Sequence, residues 1–433
     1  MWISRLSLRS YRSYPELDLE FDPGVTTFVA DNGTGKTNIV EAIGYLAHLR
    51  SHRVAFDAPL VNEHAQTATV SALVNRDQRH ATVEVSIQSK GANRARVNRS
   101  PVKMKEILGL VSCVVFAPED LSLVRGEPAE RRSWMDTLVV ARNPRYSSVI
   151  TDFERALKQR NALLKRLRED RDPGLEATLD IWNMAYADSA AELVFGRQKI
   201  LADIVEPLQR NFAFIAADAR LERQGIKARY DSRIDYSQAQ SAAECREMLL
   251  AALERRRTTE IERGLTLHGP GRDDLSLTIG DHPAKGYASH GETWSLALAM
   301  QLAGWDLLSS DAGSTAEQPI LVLDDVFAEL DTGRRNRLAS RITEAEQVFI
   351  TAAVDGDLPE GLEGRRIDGG RLLQGQQHDP NPASRPDPAS VPASSAASST
   401  PVSSTPASST DSSSSSSSAS SSRGSSPEDA DAS

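Results

Sequence analysis

Residues 25–43 read VTTFVADNGTGKTNIVEAI, and this stretch decides the fold. It begins as an apolar run typical of a buried strand, passes through two glycines, and continues from Asn38 with helical spacing. A strand, a glycine-rich turn ending in Gly-Lys-Thr and a helix together predict a phosphate-binding loop. We expect Lys36 to reach the β- and γ-phosphates of a nucleotide and the Thr37 hydroxyl to bind Mg²⁺.

The loop departs from the GxxxxGK[ST] pattern at its first position, where Ala30 replaces glycine. An alanine held at positive φ costs on the order of 1 kcal/mol, which predicts a modestly strained loop that still binds its ligand. The residues expected to surround the phosphates are Ala30, Asp31, Asn32, Gly33, Thr34, Gly35, Lys36 and Thr37. The alternative is an ordinary glycine-rich turn in which the lysine has no ligand.

The second element of the predicted site is an acidic strand end, Ile320-Leu-Val-Leu-Asp324-Asp325. It is similar to the Walker B motif, in which the first carboxylate holds Mg²⁺. Asp325 takes the position where ABC-type ATPases usually have a glutamate that orients the attacking water. Because aspartate is shorter by one methylene, we expect slow hydrolysis suited to a timed switch. The alternative is a pair of solvated carboxylates at a strand end.

The third element, Ala288-Ser-His-Gly-Glu292, resembles a degenerate LSGGQ signature of ABC-type ATPases. In those proteins the serine, the glycine and a helix N-terminus face the γ-phosphate held by the other subunit. The resemblance therefore implies that Ser289 and Gly291 bind nucleotide. The expected catalytic set is Lys36, Asp324, Asp325 and Ser289. The alternative is an ordinary helix cap at Ser289. Glu329-Leu-Asp331 resembles a D-loop that contacts a partner subunit, and it too is compatible with a helix cap.

The rest of the chain alternates between strand-like and helical segments. Residues 1–126 and 263–376 carry the buried strands, and we assign them to one α/β lobe. Residues 127–262 have apolar residues at helical spacing on both sides of Asp172-Pro-Gly174, which predicts two antiparallel helices. The fold class is therefore α/β: a P-loop ABC-type ATPase head with an inserted α-helical lobe.

Composition narrows the function classes further. Residues 377–433 are almost all Ser, Ala, Pro, Thr and Asp, which predicts a disordered tail. The two cysteines, Cys113 and Cys245, argue against a disulfide framework and a structural zinc site. We expect a cytoplasmic protein without a membrane partner, since neither an apolar signal region nor a run of about 18 apolar residues occurs. The net charge of −10 means that any DNA contact must come from local basic patches.

Several strings make the sequence similar to the RecF family in particular. They span most of residues 1–375 and include Asn32–Ile43, Ser51–Arg53, Val115–Leu121, His268–Asp274 and Leu323–Asp331. The resemblance implies a protein that binds ATP, forms an ATP-dependent homodimer and hydrolyses ATP weakly in a DNA-dependent manner. It also implies binding to single-stranded, gapped and linear double-stranded DNA. RecO and RecR would be its partners in recombinational repair, replication restart and the SOS response.

Two further assignments rest on the match to the ABC head. Arg12 is a candidate for a phosphate or base contact, or else a surface charge beside Tyr11 and Tyr14. Glu119 or Asp120 would lie at the junction between the lobes. The signature departs from the family pattern at two positions, His290 and Thr293, where RecF proteins often have glutamine.

Three basic runs are candidates for DNA contacts, and for each the alternative is a solvated surface. They are Arg94/Arg96/Arg99/Lys103/Lys105, Lys158/Arg160/Lys165/Arg166/Arg168 and Arg255-Arg256-Arg257. Three other functions share parts of this pattern: an SMC-like scaffold, an ATPase subunit of a transporter, and a DNA-binding scaffold with a decayed ATP site. An SMC-like scaffold needs a far longer coiled coil, and an ATPase subunit of a transporter normally matches the LSGGQ signature more closely. The third conflicts with the retention of Lys36, Thr37, Asp324 and Ser289.

Overall fold

A computed structural model describes residues 1–170, 172–218, 225–314, 317–370 and 372. The strands are β1 Trp2–Tyr11, β2 Tyr14–Glu20, β3 Gly24–Val29, β4 Thr67–Arg76, β5 Arg79–Gln88, β6 Arg94–Val97, β7 Ser100–Val102, β8 Cys113–Phe116, β9 Ile226–Asp231, β10 Asp274–Ile279, β11 His282–Pro283, β12 Ile320–Asp324, β13 Gln347–Ala352 and β14 Arg365–Asp368. The helices are α1 Lys36–His48, α2 Leu121–Arg125, α3 Pro128–Arg142, α4 Tyr146–Glu169, α5 Pro173–Ile215, α6 Ala242–Arg263, α7 Ala284–Tyr287, α8 His290–Ser310 and α9 Thr332–Ile342. The predicted tail, residues 377–433, lies outside the described residues.

A five-stranded parallel sheet positions the predicted site. Its strand order is β14-β3-β13-β12-β8, and every neighbouring pair is parallel. Strands β12 and β13 are buried along their whole length, as expected for a parallel sheet covered on both faces. The carboxyl ends of β3, β12 and β13 therefore meet at one edge, where ligands of open α/β sheets usually bind.

One face of this sheet is covered by α1 and a second, antiparallel sheet. The six antiparallel strands have the order β2-β1-β4-β5-β6-β7. Strand β4 alternates buried and partly exposed residues, so one face of this sheet points into the core. Helix α1 lies in the same hydrophobic cluster as both sheets and is buried along most of its length. The helix predicted from Asn38 is thus confirmed, with its start two residues earlier.

The other face of the parallel sheet is covered by helices. Helix α8 is buried around its whole circumference and shares a hydrophobic cluster with β12 and the second half of α5. A helix that is apolar on all sides belongs in the core of a protein rather than at its surface. The signature-like segment therefore begins a helix that is fixed firmly against the sheet.

The predicted helical hairpin is confirmed as α4 and α5, which pack against each other. Helix α5 is about 65 Å long at 1.5 Å per residue and continues through Pro207. Its first half packs with α4 and α6, and its second half belongs to the cluster of α8 and β12. Strand β9, which lies within the predicted helical segment, pairs with β10. The division at residues 126/127 and 262/263 stays a prediction.

Cys113 and Cys245 are both buried free thiols. Over the ranges that the structure covers, no helix is long and apolar enough to cross a membrane.

Candidate nucleotide-binding site

The phosphate-loop sequence forms a tight turn between β3 and α1. Gly33 and Gly35 have φ values of 87° and 92°, a region that glycine enters at little cost. The buried Lys36 ammonium donates hydrogen bonds to the carbonyl oxygens of Ala30 and Asp31, at 2.5 and 3.3 Å, and to Asn32 Oδ1 at 3.3 Å. Burial lowers the pKa of Lys36, and the nearby Asp325 and Asp324 oppose this shift. A positive charge thus lies inside a ring of loop oxygens, where a phosphate would compete for it.

The strain predicted at Ala30 is wrong. Ala30 is not among the residues with positive φ, so alanine fits this backbone conformation without penalty. Its N–H donates to the Ala352 carbonyl at 3.3 Å, which ties the loop entrance to the end of β13. A Cβ placed on Gly369 would lie 3.0 Å from the Ala30 methyl, so this close approach is made possible by glycine at residue 369. Sequence pattern alone could not reveal the sign of φ.

The two predicted magnesium ligands lie next to each other. Thr37 Oγ1 donates to Asp324 Oδ1 at 3.0 Å, and the Asp324 carboxylate is almost fully buried at the end of β12. Hydroxyl and carboxylate oxygens beside a phosphate site suit Mg²⁺, which usually takes few protein ligands and keeps several waters. Among the described residues, no cluster of three or more His, Cys, Asp or Glu side chains is placed to hold a metal ion. The arrangement therefore fits a magnesium ion shared with a nucleotide.

Thr351 orients the Asp324 carboxylate, and no sequence motif identified it as a site residue. Thr351 is paired with Asp324 across the parallel strands β13 and β12. Its Oγ1 donates to Asp324 Oδ1 at 2.7 Å and accepts from the Asp325 backbone N–H at 2.9 Å. Its position at the end of the strand predicted over residues 347–351 could have indicated this role, because the carboxyl ends of parallel strands meet at one edge of the sheet.

Asp325 has a carboxylate oxygen without a partner. Its backbone is in the left-handed region, with φ of 56°, which aspartate tolerates better than most residues. Oδ1 is buried and accepts no hydrogen bond from any residue that the structure describes. Burial raises the pKa of Asp325, and Lys36 opposes this rise. An unsatisfied acceptor beside the lysine and the metal ligands is suited to hold a water molecule.

A charged network lies behind α1. Glu41 is fully buried and accepts two hydrogen bonds from the Arg12 guanidinium, at 2.9 and 2.6 Å. Ser51 Oγ donates to the same carboxylate at 2.5 Å, and Arg53 lies 3.5 Å from it. Arg12 is therefore held in an ion pair and is not a free surface charge. His52 Nε2 is buried, has no hydrogen-bond partner in the described part of the chain, and lies 3.8 Å from Asp324 Oδ2.

Asp120 lies at a junction between β8 and α8. Its carboxylate accepts from Gln301 Nε2 at 2.7 Å and from the Ala117 N–H at 2.9 Å. Burial raises the pKa of Asp120 to about 7. Together with His52 and Gln301 it lines a cavity of about 490 Å³. Of Glu119 and Asp120, the two candidates for the junction between the lobes, it is Asp120 that bonds to α8 through Gln301.

Ser289 and Gly291 are not joined to the phosphate loop within the chain. Ser289 is the N-cap of α8: its Oγ accepts from the Glu292 N–H at 3.3 Å, and its own N–H donates to Glu292 Oε2 at 2.8 Å. The Arg334 guanidinium lies against Gly291 and donates to Ser295 Oγ at 3.0 Å. It also bonds to Asp331, the N-cap of α9. The helix-cap alternatives therefore describe both segments in the single chain, and a role toward a second chain stays a prediction.

One predicted DNA contact is wrong. Arg160 is only 1% exposed and donates to Asn183, Thr266 and Glu260 at 2.8, 2.7 and 2.5 Å. A guanidinium so completely enclosed is a structural element of the α4–α5–α6 bundle. Lys158, on the same helix, is exposed. The five residues Arg94, Arg96, Arg99, Lys103 and Lys105 are exposed on and around the β6–β7 hairpin.

The comparisons with known proteins show the family of the chain. Residues 2–362 match the family model described as the RecF/RecN/SMC N-terminal domain. The chain is 48% identical over 376 residues to the DNA replication and repair protein RecF of Streptomyces avermitilis, covering 84% of this chain and 97% of that protein. The chain belongs to the RecF family. The RecF of Arthrobacter sp. (strain FB24) is 45% identical over 388 residues, covering 85% of this chain and 97% of the relative.

Solved RecF structures have the same fold. The recombination mediator protein RecF with ATP, in the RecFOR pathway, superposes with a TM-score of 0.76 at 26% identity, covering 85% of this chain and 95% of that one. A second RecF structure of the same pathway, described as RecF-ATPrS, has a TM-score of 0.75 at 25% identity and covers 85% of this chain and 96% of that one. Membership of a family of DNA replication and repair proteins favours that role over a transporter subunit.

Proposed function

We propose that this RecF-family protein is an ATP-dependent DNA-binding switch of recombinational repair and replication restart. The observation that carries the proposal is the contact between Thr37 and Asp324 directly beside Lys36, at the carboxyl edge of the parallel sheet. Membership of the RecF family and the similarity to an ATP-bound RecF structure support ATP as the ligand.

Each residue of the site has a role in this proposal. The loop N–H groups that follow Ala30 and the Lys36 ammonium bind the phosphates, and Thr37 and Asp324 hold Mg²⁺. When bound, Mg²⁺ neutralises phosphate charge as a Lewis acid. The unpartnered Asp325 carboxylate orients the attacking water. Because aspartate is shorter by one methylene than the glutamate usual at this position, we expect slow hydrolysis.

A second protomer completes the site. Among the described residues, Ser289 and Gly291 make no bond to the phosphate loop of their own chain, and we expect the N-terminus of α8 to bind a γ-phosphate held by another protomer. ATP would then join two chains into a homodimer around DNA, and hydrolysis would release it. The expected substrates are single-stranded, gapped and linear double-stranded DNA, and the expected partners are RecO and RecR in repair and the SOS response.

The test is ATP hydrolysis with and without gapped DNA, with dimerisation followed by sedimentation. We expect slow turnover that DNA stimulates and ATP-dependent dimers in the wild type. Lys36→Arg should abolish turnover, because a guanidinium does not fit the ring of loop oxygens that encloses the ammonium. Lys90→Arg, which changes an exposed lysine outside the site, is the control. Turnover and dimers that ignore DNA would contradict the repair function and reopen another ABC role.

A further inference from the structure

A basic cavity lies on the helical side of the molecule, apart from the phosphate loop. It measures about 550 Å³ and is lined by the segment after β9, by the middle of α6 and by His268. Three of its lining residues are arginines: Arg233, Arg255 and Arg256. None of the residues that form the nucleotide site takes part in it. A ligand here would thus occupy a place separate from the nucleotide.

The three arginines have no acidic partner. Within the described residues, Arg233, Arg255 and Arg256 form no ion pair, and Arg233 makes one long hydrogen bond of 3.4 Å to the Leu267 carbonyl. The adjacent Arg257 behaves differently, because it pairs with Asp180 and bonds to the Glu176 carbonyl. Arginines that surround one cavity without acidic partners concentrate positive charge there. An ordinary solvated helix face does not need such a cluster.

The acids nearby do not neutralise this charge. Asp235, the acidic residue that lines the cavity, accepts a hydrogen bond from the Ser237 N–H at 3.0 Å and forms no ion pair with the three arginines. Glu260 is buried behind the cavity and is engaged by Arg160 and by the Leu267 N–H at 2.7 Å. The lining therefore carries a net positive charge.

His268 adds an unsatisfied polar atom. The residue is 9% exposed, and its buried Nδ1 lies 3.9 Å from Glu260 Oε1 and has no hydrogen bond within the ranges that the structure covers. Burial lowers the pKa of His268, the charge of Glu260 opposes this shift, and the charges of Arg233 and Arg256 add to it. The His268 ring thus lies between the buried Glu260 carboxylate and the cavity that it lines.

We propose that this cavity is a phosphate-binding site in which Arg233, Arg255 and Arg256 hold the anion beside His268. Guanidinium groups match phosphate oxygens with paired N–H donors and stay charged at any physiological pH. The phosphate comes from the DNA backbone, and this source rests on the proposed function. The exposure of all three arginines allows a long polyanion to run past the cavity mouth.

The test compares two double variants of the full-length protein. Arg233→Gln/Arg256→Gln removes two cavity charges, and Arg79→Gln/Lys90→Gln removes two exposed charges elsewhere. Affinity for duplex and single-stranded DNA is measured against salt. We expect the cavity variant to bind roughly tenfold more weakly, with a slope of log K against log salt that is smaller by about 1–2. DNA-free ATP hydrolysis and thermal stability should equal those of the control.

Calorimetry with inorganic phosphate at constant ionic strength distinguishes a phosphate of the DNA backbone from a free phosphate as the ligand. Weaker DNA binding by the cavity variant alone supports the backbone phosphate. Phosphate binding that the cavity variant loses, with DNA affinity equal to the control, supports a free phosphate as the ligand. If both variants behave alike in both assays, the site is refuted. If the wild type binds phosphate but no DNA, the proposed function fails while the site stands.

Discussion

Replacing Thr351 with valine is expected to weaken Mg²⁺ binding while leaving the parallel sheet in place. Thr351 is fully buried, and its hydroxyl connects the side chain of Asp324 to the backbone of Asp325. Valine has nearly the same shape and a high preference for strands, so β13 should keep its packing. Both hydrogen bonds are lost, and Asp324 keeps only the bond from Thr37.

The expected size follows from the charge of the acceptor. A hydrogen bond to an ionised group contributes about 1.5–3 kcal/mol, and 1.4 kcal/mol corresponds to a factor of ten. Loss of a partner that orients a metal ligand typically costs about 10- to 100-fold in metal affinity. We therefore expect the half-saturating Mg²⁺ concentration of Thr351→Val to rise by about 10- to 100-fold.

The assay is a Mg²⁺ titration of ATP hydrolysis, repeated as a titration of nucleotide binding with a fluorescent ATP analogue. Thr27→Val is the matched control, because Thr27 is a buried threonine on the adjacent β3 whose hydroxyl makes no hydrogen bond with Asp324. An unchanged half-saturation in Thr351→Val, or an equal shift in the control, would show that Thr351 does not orient the metal ligand.

Three further outcomes are expected. Arg160→Met should lower the free energy of unfolding by about 3–5 kcal/mol in urea titrations, because it leaves buried Glu260 without its cation; Arg160→Met/Glu260→Met should recover most of this loss, and a cost under about 1 kcal/mol for the single variant would contradict it. The raised pKa of Asp120, about 7, means that its contribution to stability is complete below pH 4 and is lost as the pH rises through 7, by at most about 1.4 kcal/mol per pH unit. Asp120→Asn should flatten the decline of the melting temperature between pH 5 and 7, and an unchanged slope would refute this. Ser289→Asp keeps an N-cap acceptor but places a negative charge where a γ-phosphate is proposed, so sedimentation should find α8 intact and ATP-dependent dimers lost, whereas dimers that persist would remove Ser289 from the interface.

Local sequence was sufficient for the residues whose chemistry follows from their immediate neighbours. Lys36 and Thr37 lie in one continuous strand–turn–helix segment, and Asp324 ends a strand recognisable by its apolar run. Thr351 could not be assigned this way, because its role depends on β13 lying beside β12. A threonine at a strand end has no distinctive pattern until the strand order is known.

Charge and burial were harder to separate. Arg160 was grouped with exposed basic residues, although it follows Phe153 and Ala156 and precedes Leu164 on the buried face of α4. The helical periodicity of the apolar residues indicates that Arg160 is buried, whereas its charge alone suggests an exposed side chain. For the arginines of the basic cavity, the sequence does not tell which of them form ion pairs. Only the spatial arrangement distinguishes Arg256 from its paired neighbour Arg257.

The position of β3 in its sheet has a consequence during protein synthesis. Its two neighbours, β13 and β14, are made last: Val25 pairs with Val348, and Thr26 pairs with Arg365. A ribosome adds about 5–20 residues per second, so a gap of roughly 320 residues corresponds to a delay on the order of 15–60 s. The apolar strand before the phosphate loop is without its sheet partners throughout that time. A nascent chain is therefore expected to need shielding from aggregation, and it cannot acquire its nucleotide site until translation has passed β13.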